Sequence, residues 1–472
     1  MGRGKELAKN TIILSIGYFL PKFTFLITLP IITGHLTKSE YGHYDLLTTL
    51  SALILPIITL QIQTAAFRFL IDCRNDETET KRIISNIYLF VIPINLIGFV
   101  ILFFIMTDYP LPTRMLILLY IWSDTIISIT LQVVRGLAYN KLYSATSALR
   151  AFSNMILIVI TVLLIRMGLN GVLLSYIVAT FLGITLLVYK SGLIRRLDIG
   201  LYSAAVIKKM LAYSIPMLPN TLSVWVLSVS DRFVLNRFMG IEAVAVYSAA
   251  NKIPLSFSAI LSSFILAWQE NASITVNDAD ADNYYSAVFD KVFCMLLGMM
   301  ALLIGATPIL FLILIRGDYS EAYRQMPLLF LGTFFAGVSS FLGGIYVAHK
   351  KTRSVGATTM LAAVINLGVN LAMVNKFGIY AASISTFISY MFLASYRMKN
   401  IKQFQNINYH YFKMIGAILV LMAMSVIGWI NQFALNVLNF VLGIIVAVAF
   451  NKDIIRKVIN GLLDKVRKKN DL

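Results

Sequence analysis

Charged residues are scarce in this chain. Only 13% of its 472 residues are Asp, Glu, Lys or Arg, about half the share found in soluble domains. That excludes an ordinary soluble enzyme. The two cysteines, Cys73 and Cys294, are far apart and lie in no CxxC, and the four histidines, His35, His43, His349 and His410, form no ligand-spaced cluster. A disulfide framework, a zinc site and a haem site are therefore not expected. Walker, HEXXH and GxSxG sequences are missing, so the expectation is no ATP site, no catalytic residues, no metal, no cofactor and no enzyme activity.

Apolar residues fill the space that charge leaves. They make up 58% of the chain, and the mean hydropathy is +0.80. The apolar runs are too long, and alternate too little, for a β-barrel. Leu46–Phe67, Ile83–Thr107, Val292–Ile315 and Gln325–His349 each lack any charge and can each cross about 30 Å of hydrocarbon at about 1.5 Å per residue. Met414–Asn451 is longer and carries Asn431, Gln432 and Asn436 near its middle, which predicts two helices and a polar turn. Four further spans tolerate a charge: Lys22 in the first, Asp124 in the fourth, Arg150 in the fifth and Lys252 in the eighth. The expectation is an all-α integral membrane protein of about 14 transmembrane helices. The apolar stretch from about Asn10 to Gly34 is too long for a signal-peptide core and predicts a retained first helix.

The net charge of +18 does not predict nucleic-acid binding, because the cations sit in short connectors between apolar runs. Of the 40 Lys and Arg, 29 fall in the segments on the side of the N-terminus and 7 in those on the other side. The positive-inside rule then places both termini in the cytoplasm. Segment 270–290 is the exception, being acidic. The tail from Lys452 carries seven cations among Ile454, Ile455, Val458, Leu462 and Val466, the pattern of an amphipathic helix on an anionic membrane surface.

The chain also repeats itself. A shift of about 210 residues lays Ala138–Lys141 on Ala348–Lys351, Gly168-Leu169 on Gly378-Ile379 and Ser175 on Ser385. A shift of 203 lays Gly42-His43-Tyr44 on Ala245-Val246-Tyr247. The expected organisation is a six-helix bundle over 1–190, a cytoplasmic linker over 191–210, a second six-helix bundle over 211–400, an extra helix pair over 401–451 and a basic tail over 452–472. Even-numbered copies share topology, so the bundles should be related by a pseudo-two-fold axis along the membrane normal, with a polar cavity between them and alternating access by rocking.

This plan resembles the multidrug/oligosaccharidyl-lipid/polysaccharide exporter superfamily, with its MATE-like bundles, and within it the polysaccharide repeat-unit flippases of the Wzx type. The residues that carry the resemblance are Lys9-Asn10-Thr11, the turn Leu36–Gly42, Ser230-Asp231-Arg232 with Arg237–Gly240 and Val246–Ala250, and Ala363–Leu371 with Phe377–Ser383. The resemblance implies translocation of undecaprenyl-diphosphate-linked oligosaccharide across the bacterial cytoplasmic membrane for capsule, O-antigen or exopolysaccharide synthesis. Membrane lipids surround such a protein, and its partners are a polysaccharide polymerase and glycosyltransferases. The alternatives within the superfamily are a peptidoglycan-precursor flippase and a multidrug cation antiporter.

Charge inside the bilayer is retained when it faces water or a partner. Lys22, Arg68, Arg232 and Lys252, on the helices that line the cleft in proteins of this resemblance, form the expected diphosphate site. Gln61, Gln63, Asn220, Trp225, Asn251 and Gln269 are the expected sugar contacts. Asp124 and Asp231 are read as coupling or charge-balancing acids. The competing reading makes Asp231 a bridge to Lys252 or Arg232, has Asp124 neutralise Lys22 or Arg150, and lets Arg68 and Arg150 snorkel to the inner surface. Pro21, Pro30, Pro216 and Pro219 are expected to kink helices 1 and 7.

Overall fold

The computed structural model describes residues 20–470, apart from the side chains of Leu20, Lys22, Ala259, Ile260, Ser263, 453–455 and 457–470. Residues 10–19 of the first expected helix and the amphipathic face of the tail lie outside these described residues. Every regular element among the described residues is helical. The chain divides into two compact units. The first comprises Met1–Val229 with Gly240–Ala245, the second Ser230–Met239 with Val246–Leu472.

In the first unit the helices are α1 (Phe25–His35), α2 (Lys38–Thr59), α3 (Ile62–Asp72), α4 (Glu77–Ile105), α5 (Leu111–Gly136), α6 (Asn140–Ile158), α7 (Gly168–Ser191), α8 (Ala204–Ser214) and α9 (Leu218–Val229). Their ends follow local chemistry. Thr37 and Glu40 make a reciprocal capping box at the start of α2, which satisfies two orphan N–H groups at once. The Asp76 carboxylate accepts from Glu79 N at 3.0 Å and starts α4. Gly192 ends α7 with φ 63°, a left-handed conformation that glycine adopts without steric penalty. The apolar centre of the unit is built from Ile62, Ala66 and Leu70 of α3, Ile84 and Ile87 of α4, Ile129 and Val133 of α5 and Met210 of α8.

The uncharged run Leu46–Phe67 reads as one straight span, but the structure breaks it. Leu60 and Gln61 both adopt left-handed φ, 48° and 60°, and α2 and α3 meet at a bend of 56°. The exposed carbonyl of Leu60 accepts from Ser214 Oγ at 2.7 Å, and that of Gln61 from Thr64 N at 2.9 Å. The carbonyls freed by the break are thus paired within the unit. Helix 7 is broken as well: a 3₁₀ turn, Ile215–Met217, separates α8 from α9 at Pro216. The proline removes a backbone donor there.

The second unit contains α10 (Asp231–Met239), most of α11 (Ile241–Thr275), α12 (Ala281–Gly305), α13 (Thr307–Leu314), α14 (Ser320–Ala348), α15 (Thr352–Phe377), α16 (Tyr380–Ile401), α17 (Tyr411–Ile430) and α18 (Phe433–Asn470). The polar turn expected in Met414–Asn451 is present. Asn431 ends α17 at φ 54°, and α18 bends at Asn451. Aromatic rings fill the interior: Trp268 stacks on Phe341 at 4.4 Å and Phe293 meets Phe334 edge-on at 5.2 Å. Between α12 and α18 the backbones touch. A Cβ on Gly305 would lie 2.7 Å from Asn439 O, and one on Gly443 would lie 2.7 Å from Ala301 O. Small residues at a helix seam permit this approach where lipid removes the hydrophobic drive for association.

Among the described residues, ten helices, with α8 and α9 counted together, are long and apolar enough to cross a membrane, or eleven when the bent pair α2 and α3 is one span. The remaining expected spans are the first helix, α11 and α16. At 35 and 22 residues, α11 and α16 exceed the length of about 20 that a crossing needs.

The acidic segment that breaks the charge rule has a structural use. Asp282 accepts from the Gln405 side chain and from Asn406 N, and Asp290 pairs with Lys413 at 2.9 Å. Asp282 thus fastens the connector between α16 and α17, and Asp290 the start of α17, onto α12.

Candidate functional site

Among the described residues, each unit has an acid hydrogen-bonded to side chains of other spanning helices. In the second unit the acid is Asp231, the first residue of α10 and 1% exposed. One carboxylate oxygen, Oδ2, accepts from Tyr247 Oη at 2.8 Å and Thr386 Oγ1 at 2.9 Å. The other, Oδ1, accepts from Asn370 Nδ2 at 2.8 Å and Ser385 Oγ at 3.4 Å. Asn366 extends the cluster, accepting from Ser230 Oγ and donating toward Ser385 and Ser389. Four donors compensate the burial of this carboxylate. The carboxamide oxygen of Asn370 is buried without a partner.

The neighbouring Arg232 is 2% exposed, and its guanidinium stands 5.4 Å from the Tyr247 ring centre. Lys252 on α11 is half-buried and forms no ion pair among the described residues, so no Lys252 bridge holds Asp231 here. Asn251 is buried and Gln269 half-buried.

In the first unit the acid is Asp124 on α5. It accepts from Tyr176 Oη and, at 3.2 Å, from Ser51 Oγ. Arg150 Nη1 lies 3.8 Å from it and stacks 5.5 Å over the Tyr176 ring. Asp124 therefore has a cationic neighbour in Arg150. Gln61 is buried at the α2–α3 break, where its amide donates to Thr221 Oγ1 at 2.9 Å and accepts from Gln63 Nε2 at 3.1 Å. Trp225 donates its indole N–H to Thr49 O at 3.1 Å. Asn220 is exposed. Arg68 is exposed and ion-paired with Asp72, one helical turn on. The side chain of Lys22 lies outside the described residues.

The structure thus gathers Gln61, Gln63 and α9 around one break, and leaves Arg68 and Asn220 at the surface of their unit. Among the described residues no three His, Cys, Asp or Glu side chains converge on a metal position. The oxygen-rich set around Asp231, a carboxylate with hydroxyls and an amide carbonyl, suits a proton or a hard monovalent cation rather than a soft transition metal.

Sequence reasoning missed the partners of Asp231. Asn366 and Asn370 are four apart, as are Ser385 and Ser389, so each pair shares one helix face. That spacing was available as a signal. Arg397, one of the 29 cations counted on the side of the N-terminus, is buried at 4% exposure on α16. Its guanidinium donates to Ser339 O at 2.8 Å, to Val355 O at 3.2 Å and to the hydroxyls of Thr358 and Thr359 at 3.0 Å. The connector begins only after Ile401, because α16 continues for five residues beyond the uncharged stretch Phe377–Tyr396.

Comparison with known proteins gives the frame. The fold matches a solved "Lipid II flippase MurJ" in an inward closed conformation, with TM-score 0.70 and 14% identity over 95% of this chain and 100% of that one. It also matches a multidrug resistance MATE family transporter of the MOP superfamily in an inward-facing conformation, with TM-score 0.67 and 12% identity over 83% and 95% of the two chains. A third likeness is to a MOP superfamily transporter from Pyrococcus furiosus, with TM-score 0.57 and 12% identity over 84% and 95%. None of the curated proteins matches the chain significantly. Residues 7–269, more than half of the sequence, match the family described as "Polysaccharide biosynthesis protein". The chain belongs to that polysaccharide biosynthesis protein family and has the fold of the MOP-superfamily transporters.

Proposed function

We propose that the protein is a flippase that carries undecaprenyl-diphosphate-linked oligosaccharide repeat units across a bacterial cytoplasmic membrane, with both termini cytoplasmic. The observation that carries this reading is the family match over residues 7–269, on a chain whose helices suit a bilayer. A lipid-linked sugar presents a diphosphate to be neutralised and sugars to be hydrogen-bonded. Lys22, Arg68, Arg232 and Lys252 are the proposed cations. Gln61, Gln63, Asn220, Trp225, Asn251 and Gln269 supply the sugar contacts, and the prenyl chain stays in lipid. Arg68 exchanges its Asp72 partner for phosphate, which a flexible exposed pair permits at small energetic cost. A polymerase and glycosyltransferases act with the protein in the same synthesis.

Asp231 is the proposed coupling group. All its present bonds are accepted ones. A proton on Oδ2 would meet two hydroxyls, Tyr247 and Thr386, which can rotate to accept it. Oδ1 faces the Asn370 amide N–H, which cannot. Protonation would therefore reverse one hydrogen bond at Oδ2 and remove the carboxylate's charge, while leaving the Asn370 bond to α15 in place. The cluster joins α10 to three other helices, so its charge state can set their packing.

The peptidoglycan-precursor flippase is the second reading, favoured by the fold likeness to a lipid II flippase. A drug-cation antiporter is disfavoured, since the first expected span, Asn10–Gly34, contains no acid.

Deletion of the gene followed by identification of the lipid-linked sugar that accumulates at the inner leaflet tests the reading. An oligosaccharide repeat unit is expected, with loss of surface polymer. Accumulation of peptidoglycan precursor instead would assign the second function.

A further inference from the structure

We propose that a cleft in the second unit binds an anionic phospholipid of the surrounding bilayer, separately from the transported substrate. The cleft, about 350 Å³, lies among α12, α14, α16 and α17. Its floor is apolar and buried, made by Phe293, Phe334, Phe335 and Ala394. Its rim is open: Tyr411 is 47% and Ile415 58% exposed. Lys399 and Lys402, both exposed, stand at one end.

The chemistry changes along the length of the cleft. From Lys402 down α16 to Ala394 is eight residues, about 12 Å of helix, from a cationic mouth to a phenylalanine floor. A free phosphate or nucleotide would use the mouth and leave the floor empty. An acyl chain under a negatively charged headgroup uses both, as in basic pockets between transmembrane helices that hold lipid head groups. The cations are available. The nearby acids are already engaged, Asp282 with Gln405 and Asn406, and Asp290 with Lys413. Lys399 and Lys402 form no ion pair among the described residues. The ammonium of Lys402 sits 5.7 Å and 5.1 Å from the ring centres of Tyr409 and Tyr411, which hold it at the rim. A diacyl lipid would seat one chain in the cleft and leave the other in the bilayer.

The experiment is native mass spectrometry of the purified full chain titrated with phosphatidylglycerol, with phosphatidylcholine of the same acyl chains, with undecaprenyl phosphate and with inorganic phosphate. Phosphatidylglycerol is expected to bind at least tenfold tighter than phosphatidylcholine. The double variant Lys399→Gln, Lys402→Gln is expected to weaken it about 10- to 30-fold, the effect of removing two cations near a lipid surface. A second variant, Ser395→Trp, fills the open mouth with both lysines intact and is expected to reduce binding of phosphatidylglycerol alone. The proposal is overturned if the two phospholipids bind equally, if neither variant changes binding, or if undecaprenyl phosphate or inorganic phosphate displaces phosphatidylglycerol at lower concentration than phosphatidylglycerol itself requires.

Discussion

Asp231 and Arg397 are both buried among spanning helices, and they make different demands. Asp231 is buried with four donors. Asp231→Asn keeps its shape but turns one acceptor into a donor, which the Tyr247 and Thr386 hydroxyls can accommodate by rotating. The variant should reach the membrane at normal levels, measured by immunoblot, while surface polymer falls at least tenfold. Normal polymer would remove Asp231 from coupling. Arg397, by contrast, is a packing group: it joins α14, α15 and α16 through neutral acceptors. Arg397→Met should destabilise the purified protein by on the order of 2 kcal/mol, read as a lower midpoint in thermal unfolding. Asp231 was legible as a rare acid in an apolar run, but its partners were not. Apart from Tyr247, 16 positions on, they come from segments more than 130 positions away, and a single sequence does not show which distant helices meet. Arg397 was misplaced for a simpler reason: a cation at the end of an apolar run marks a helix end in sequence, whereas here hydroxyls and carbonyls satisfy it in the interior.

The elements are set by caps, breaks and seams. The turn at Thr37–Gly42 is readable in sequence as a capping box, Thr followed three residues on by Glu. The structure adds that Glu40 Oε1 also accepts from Leu169 N at 3.2 Å, tying the start of α2 to that of α7. Thr37→Ala should lower stability by about 1 kcal/mol. Gly168→Ala should cost more, because its φ is +56° and its new Cβ would fall 2.0 Å from Glu40 Oε1. Urea or thermal melts of the two variants should give that order. At the α12–α18 seam, Gly443→Leu should separate the helices and lower the yield of folded protein, measured by size-exclusion chromatography after detergent extraction. The α2–α3 break was not legible. No glycine or charge marks Leu60-Gln61, and Ser214, which satisfies the break, lies over 150 positions away.

At the scale of the molecule, apolar run lengths were enough to give the helical membrane class, because a bilayer forces backbone hydrogen bonds to close within each span. The cationic residues invite a sharper test than the fold does. Lys22 and Arg232 are proposed to neutralise the substrate diphosphate, while Arg68 has an ion-pair partner of its own. The most direct measurement is translocation in proteoliposomes containing the purified protein and fluorescent undecaprenyl-diphosphate oligosaccharide of the host's repeat unit, with labelled peptidoglycan precursor in parallel. The account predicts that the oligosaccharide reaches the opposite leaflet while the precursor does not, and that Lys22→Ala and Arg232→Ala each slow transfer at least tenfold at equal protein. Equal transfer of both lipids, or undiminished transfer by both variants, would contradict it.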